Sequence, residues 1–190
     1  RTEIGERREV VLSVTIPERP GAFKAFCSAI GRRNVTEFNY RYETAAEAKV
    51  FVGLTVMPGD SSLDALQAAL RDQGYGVLDL TDNETAKLHL RHMVGGRLSE
   101  DIEDEMVFRV EFPERPGSLL QFLNALGKDY SISLFHYRNH GAAYGRILVG
   151  MQVPQGKRTA LRKALDKLGY RFWEETDNPA YLEYLGRPTR

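Results

Sequence analysis

Alternating strands and short apolar helical stripes, set out twice, predict an α+β protein of two tandem β-α-β-β-α-β units. Each unit is expected to be a four-stranded antiparallel sheet with two helices on one face, the two sheets packed together. The first observation behind this is a phrase that recurs: Ile16-Pro17-Glu18-Arg19-Pro20-Gly21-Ala22-Phe23 returns 96 residues on as Phe112-Pro113-Glu114-Arg115-Pro116-Gly117-Ser118-Leu119. The second is that Phe38-Asn39-Tyr40-Arg41 and Val52-Gly53 are answered 97 residues on by Phe135-His136-Tyr137-Arg138 and Val149-Gly150. The third is the return of Gly74-Tyr75 and Thr81-Asp82-Asn83 as Gly169-Tyr170 and Thr176-Asp177-Asn178, 95 residues on. A self-similarity this extended means a duplicated unit. The slips of one or two residues fall between matched elements, where loops absorb them.

The elements follow in order. Val10, Leu12, Val14 and Ile16 alternate with their neighbours, the period of a strand. Phe23, Phe26, Cys27 and Ile30 fall on one helical stripe, and Gly31 stops it. Cys27, on that stripe and with no partnering base, reads as a core residue. Residues 35–43 are rich in β-formers, and Val50 to Val56 make a further strand broken by Gly53. Glycine there implies a close approach of backbone or ligand. Ser61 or Ser62 can cap a helix carrying Leu63, Leu66 and Leu70, ended by Gly74, and Tyr75 to Leu80 is a short last strand. Thr81-Asp82-Asn83-Glu84 has capping-box spacing and predicts a helix to about Met93, ended by Gly95-Gly96. The acidic stretch Glu100 to Glu105 reads as a solvated linker. The second half repeats the plan, with Met106 to Phe112 as a strand, Leu119, Phe122, Leu123 and Leu126 as a stripe ended by Gly127, and Leu161, Leu165 and Leu168 as the second helix. The units are bounded at 8–95 and 105–190, with 96–104 between them.

Composition narrows the function classes. The 26 Lys+Arg balance 26 Asp+Glu, so no basic field invites nucleic acid or anionic lipid. One cysteine forbids a disulfide framework or a cysteine zinc site and suits a reducing, cytoplasmic setting. No apolar run reaches the length of a membrane span, and no signal peptide is evident. The chain begins at Arg1 rather than Met, as a fragment of something longer would. An RNA-recognition module shares the β-α-β-β-α-β order, but Val50-Phe51-Val52-Gly53 lacks its Lys/Arg-Gly-aromatic pattern. His89 and His92 are a helical pair without a third metal ligand, and no carboxylate pair or Ser-His-Asp order stands out for catalysis.

The duplicated features nominate a binding site instead. Proline pre-sets φ for a first helical turn, whose N–H groups lack helical partners and attract a carboxylate. Pro20, Gly21 and Ala22, with Pro116, Gly117 and Ser118, are therefore candidates. Glu18 and Glu114 read as dipole partners of those helix starts. Tyr40 and Tyr137 each offer an apolar ring and a hydroxyl, while Asn39 and His136 can hydrogen-bond a ligand or serve the structure. Arg41 and Arg138, one residue on, point to the opposite face of their strands and are expected to hold the strand or a neighbouring subunit. Phe38, Tyr40, Phe135 and Tyr137 would be covered by edge or face pairing of the two units, side by side, with a small amino acid at the shared seam.

These residues resemble a known family. Val35-Thr36-Glu37-Phe38-Asn39-Tyr40-Arg41, Lys87-Leu88-His89 with Met93-Val94-Gly95-Gly96-Arg97, and Ile132-Ser133-Leu134-Phe135-His136-Tyr137-Arg138 are similar to the C-terminal regulatory region of biosynthetic threonine deaminase. The resemblance runs from about Val10 to Leu185 and implies two ferredoxin-like, ACT-like subdomains. It implies L-isoleucine as feedback inhibitor and L-valine as counteracting effector of the conversion of threonine to 2-oxobutanoate and ammonia. It also ties Tyr40, Tyr137 and Arg138 to effector response; Arg41, Arg91 and Arg97 are expected with Arg138 at coupling or interface positions. Partners implied are the pyridoxal phosphate catalytic domain of the same parent chain and further copies in a homo-oligomer, with no nucleic acid or membrane. The family's Ser-Phe-Lys cofactor segment and glycine-rich phosphate loop are not in this chain, so neither cofactor nor turnover is expected of it. A stand-alone tandem amino-acid sensor is the alternative.

Overall fold

The computed structural model describes residues 8–19, 21–41, 46–57, 61–88, 102–115, 117–126, 129–138 and 144–186. The first unit comprises β1 (Arg8–Pro17), α1 (Ala22–Ile30), β2 (Asn34–Arg41), β3 (Glu47–Val56), α2 (Ser62–Asp72), β4 (Gly76–Asp79) and a short α3 (Glu84–Leu88). The second comprises β5 (Glu105–Pro113), α4 (Ser118–Leu126), β6 (Ser131–Arg138), β7 (Tyr144–Gln152), α5 (Arg158–Leu168), β8 (Arg171–Glu174) and α6 (Pro179–Tyr184), with a 3-10 turn at Gln155–Lys157.

The two four-stranded sheets are joined edge to edge into one antiparallel sheet of order β4-β1-β3-β2-β6-β7-β5-β8. The sequence leaves edge and face pairing open; the edges of β2 and β6 pair, which satisfies backbone groups that each unit alone would leave exposed. Across this seam Phe38 lies opposite Tyr137, Asn39 opposite His136 and Tyr40 opposite Phe135. The 97-residue offset exchanges the first and last of these pairs and maps the middle one onto itself. A pseudo-twofold axis therefore passes through the Asn39–His136 pair.

One face of the sheet carries the main core. Val10, Leu12, Val14 and Ile16 of β1 and Val110 and Phe112 of β5 pack there with Phe23, Phe26, Leu66, Phe122 and Leu161 from the four longer helices. α1 and α4 lie next to each other over the seam. On the opposite face Val11 and Phe51 are buried with Ala86 of α3, so β1 is covered on both sides.

Several local expectations are corrected. Thr81 does not cap a helix: its Oγ1 accepts from the Val11 N–H, as Thr176 Oγ1 accepts from the Val107 N–H, so each threonine ties its loop to a strand. Asn83 and Asn178 take the capping role, accepting from the Ala86 and Ala180 N–H groups. Ser61 stands at the α2 start without a side-chain cap bond. Glu105 is the first residue of β5 and is buried, and Ile102 before it is buried too; acidic composition misreads this end of the linker. The helix expected from residue 81 is described only over Glu84–Leu88, and its expected course to Met93, His89, His92 and Gly127 lie outside the described residues.

Gly53 and Gly150 sit beside β-bulges in β2 and β6, between Val35 and Glu37 and between Ile132 and Leu134. A Cβ on Gly53 would lie 2.4 Å from Thr36 Oγ1 and 3.0 Å from Glu9 Oε1. At Gly150 it would lie 2.8 Å from Glu105 Oε1. The close approach expected at these glycines is thus a side-chain pair crossing the strand: the bulged Thr36 donates to Glu9, and Ser133 to Glu105.

Candidate functional site

The pseudo-twofold axis generates two pockets, each walled by both units. The wider lies between the β5–α4 loop and the end of α1: Glu114, Arg115, Gly117 and Leu119 face Cys27, Ile30, Arg33 and Val35, with Phe38 and Tyr137 at the seam. The narrower is its counterpart: Glu18, Arg19, Gly21 and Phe23 face Leu123, Leu126, Tyr130 and Ile132, beside Tyr40. Their volumes are about 100 Å³ and about 20 Å³.

Gly21 and Gly117 take φ of 84° and 86°, the left-handed region that glycine enters without strain. That turn brings the Ala22 and Ser118 N–H groups back onto the Arg19 and Arg115 carbonyls. Donors left for an anion are then those deeper in the first turn of each helix.

Each pocket contains a tyrosine–glutamate pair. The Tyr137 hydroxyl donates to Glu114 Oε1 at 2.6 Å. Tyr40 donates to Glu18 Oε2 at 2.7 Å, and its oxygen lies 3.0 Å from the Ile132 carbonyl of the other unit. Burial pushes the Glu18 carboxyl above its ordinary range, the Tyr40 hydrogen bond opposing in part. In the wider pocket two buried atoms of opposite charge, Glu114 Oε2 and Arg33 Nε, have no hydrogen-bond partner among the described residues. The rest of the Arg33 guanidinium is held by the Ile30 and Ser62 carbonyls, which fixes it at the end of α1. Cys27 is buried at the base of the stripe, and desolvation pushes its thiol far above the ordinary range, so it serves as apolar wall rather than nucleophile.

The pockets gather Tyr40, Tyr137, Gly21 and Gly117 from the residues nominated by sequence. Ala22 and Ser118 are buried at the adjoining helix starts. Asn39 and His136 are not brought in, because alternate residues of a strand face opposite ways. Asn39 is buried on the far face and donates to Glu37, while His136 opposite it is exposed. Arg41 also lies on the far face, where it pairs with Glu105 of the second unit at 2.7 Å and donates to the Leu185 carbonyl at 2.7 Å. Ser133 and Tyr181 donate to the same carboxylate. Arg138, half-buried, stands opposite Glu37 in the register. Pro20, Pro116, Arg91 and Arg97 lie outside the described residues.

Reading by sequence overlooked Glu18 and Glu114 as pocket-lining groups, although each recurs at the repeat offset with a tyrosine two strands away. It overlooked Arg33 because no repeat partner marks it. Among the described residues, no cluster of His, Cys, Asp or Glu is placed to hold a metal, and no helix is long and apolar enough to cross a membrane.

Comparison with known proteins follows the same lines. The model of the C-terminal regulatory domain of threonine dehydratase matches residues 1–90 and again 96–185. L-threonine dehydratase biosynthetic IlvA of Burkholderia multivorans is 51% identical over 185 residues, covering 97% of this chain and 36% of that protein. The Escherichia coli protein of the same name is 48% identical over the same shares. The mitochondrial threonine dehydratase of Schizosaccharomyces pombe is 41% identical, covering 97% of this chain and 30% of that one. The chain thus spans about a third of the length of these relatives.

Proposed function

This chain belongs to the family of C-terminal regulatory domains of threonine dehydratase, and on that premise we propose that it is an amino-acid-binding allosteric module, with L-isoleucine as inhibitor and L-valine as counteracting ligand. In this reading it governs the conversion of threonine to 2-oxobutanoate and ammonia by a cytoplasmic, homo-oligomeric parent enzyme. Its division into units at 8–95 and 105–190, joined by 96–104, is part of the same proposal.

The observation that carries it is the wider pocket, an apolar cavity with two opposite, unpartnered buried charges. An α-amino acid at neutral pH is a zwitterion on an apolar stem, and each part has a complement here. The ammonium meets Glu114 Oε2, oriented by Tyr137. The carboxylate meets Arg33 Nε and the amides of the α4 first turn. The alkyl group lies among Cys27, Ile30 and Leu119. A dry apolar cavity of about 150 Å³ admits benzene, so about 100 Å³ suits a four-carbon branch.

Control follows from the placement of the pocket. Both units contribute walls, so a ligand favours one arrangement of the two over others, and that difference is the only free energy it can pass to another site. The chemistry belongs to the remainder of the parent. Lys24 lines the narrower pocket, whose volume of about 20 Å³ has no room for a pyridine ring, so these residues do not fit pyridoxal phosphate.

The test is calorimetric titration of the 190-residue chain with L-isoleucine and then L-valine. One methylene in an apolar pocket is worth about 1–3 kcal/mol, so isoleucine should bind roughly tenfold or more tightly than valine. The absence of heat and of any melting shift at millimolar isoleucine would sink the proposal.

A further inference from the structure

The repeat makes the two pockets equivalent in backbone, yet their side chains differ consistently. Leu119 in the wider pocket stands where the narrower has Phe23, and Cys27 stands where the narrower has Leu123. Both exchanges remove volume from the same pocket. The Phe23 ring is fixed by three neighbours, with centroids 4.9 Å from Phe135, 5.0 Å from Tyr40 and 5.3 Å from Phe38. It cannot swing aside without breaking all three ring contacts. An exchange in the opposite sense, Phe112 where the first unit has Ile16, also lines the wider pocket, and Gly145 in place of Ala48 makes room for it: a Cβ on Gly145 would lie 2.6 Å from Glu114 Oε2 and 2.8 Å from Phe112 Cζ.

The charges differ in the same direction. Arg33, with its unpartnered Nε, is answered in the strand register by Tyr130, which carries no cation. Each carboxylate accepts one tyrosine hydroxyl, Tyr40 at Glu18 and Tyr137 at Glu114, but only at Glu114 is the second oxygen buried with no partner among the described residues. About 20 Å³ holds a single water and no more.

Resting on the binding function proposed above, we infer that a branched aliphatic amino acid binds once per chain, in the Cys27–Leu119 pocket between Glu114 and Arg33, and that Phe23 and Leu123 close the twin pocket to it. The fold duplicates the site, and two side chains cancel one copy.

The experiment is titration of the 190-residue chain with L-isoleucine, reading stoichiometry as well as affinity. The expected stoichiometry is one per chain. Leu119→Phe and Cys27→Leu each import the side chain already accommodated at the twin position, and each should weaken binding at least tenfold while circular dichroism shows the fold intact. Phe23→Leu with Leu123→Cys copies the open pocket into the closed one, and should leave the first affinity within about threefold. Tyr137→Phe, which adds no bulk, should weaken binding several-fold, and Tyr40→Phe should not. Two equal sites in the unaltered chain, or binding that survives Leu119→Phe and Cys27→Leu but falls with Tyr40→Phe, would overturn the assignment while leaving the amino-acid-binding function standing. No binding by the unaltered chain overturns both.

Discussion

Replacing Arg41 by alanine strands a carboxylate in the protein interior. The Arg41 and Glu105 side chains are 3% and 2% exposed, and their charged atoms approach to 2.7 Å. The arginine also supplies the Leu185 carbonyl, so the variant loses an ion pair and a donor at once. Breaking a buried pair from one side costs about 3–5 kcal/mol. Ser133 and Tyr181 still donate to Glu105, which places the expected loss near the lower end, about 3 kcal/mol. For a chain of this length each kcal/mol moves the melting temperature by about 2–4 °C, so the drop should be roughly 6–12 °C. Arg41→Met with Glu105→Gln removes both charges and keeps a carbonyl for the two hydroxyls; it should recover most of that loss. The assay is thermal unfolding by circular dichroism, with urea titration to check that the m-value is unchanged. A drop under 2 °C for Arg41→Ala, or a double variant no better than the single, would refute the view that this pair holds the two units and α6 together.

Other consequences are as direct. Glu18 holds its proton more tightly in the folded chain than in the unfolded one, so its contribution to stability is fully present below the ordinary carboxylate value and is lost as pH rises through the raised folded value; Glu18→Gln should flatten that part of a denaturation series, on the alkaline side of the ordinary carboxylate range. Gly53→Ala and Gly150→Ala should each cost about 1–3 kcal/mol by overpacking, since the added carbon meets the Thr36–Glu9 and Ser133–Glu105 pairs, and urea unfolding will show it. Arg138→Ala, at a half-buried position on the face away from the pockets, should leave isoleucine binding to the chain within about threefold. In the intact parent the same change should let threonine turnover persist while inhibition by isoleucine fades, read from inhibition curves.

The twin of each buried pair shows how the seam departs from its own symmetry. Thr36 and Glu9 repeat Ser133 and Glu105, but α6 brings Tyr181 to the second copy where α3 brings Ala86 to the first. Duplication therefore supplied a symmetric frame, and single substitutions made its two ends different. The same pattern governs the pockets, where Phe23 and Leu123 oppose Leu119 and Cys27.

Much was legible in the amino-acid order itself. The two units, the strand alternation of Val10 to Ile16 and Met106 to Phe112, the helical stripes and the Pro-Gly turns are set by residues close in sequence, whose periods depend on backbone geometry alone. The opposite facing of Tyr40 and Arg41 follows from the same period. Tertiary structure decided what distant residues do together. It chose edge over face pairing, turned Glu105 from apparent linker acid into a buried partner of a residue 64 positions away, and put Glu114 and Arg33 on the walls of one pocket. Those outcomes depend on which surfaces meet and how much volume remains between them, and volume between elements is a property of their packing, which no local period encodes.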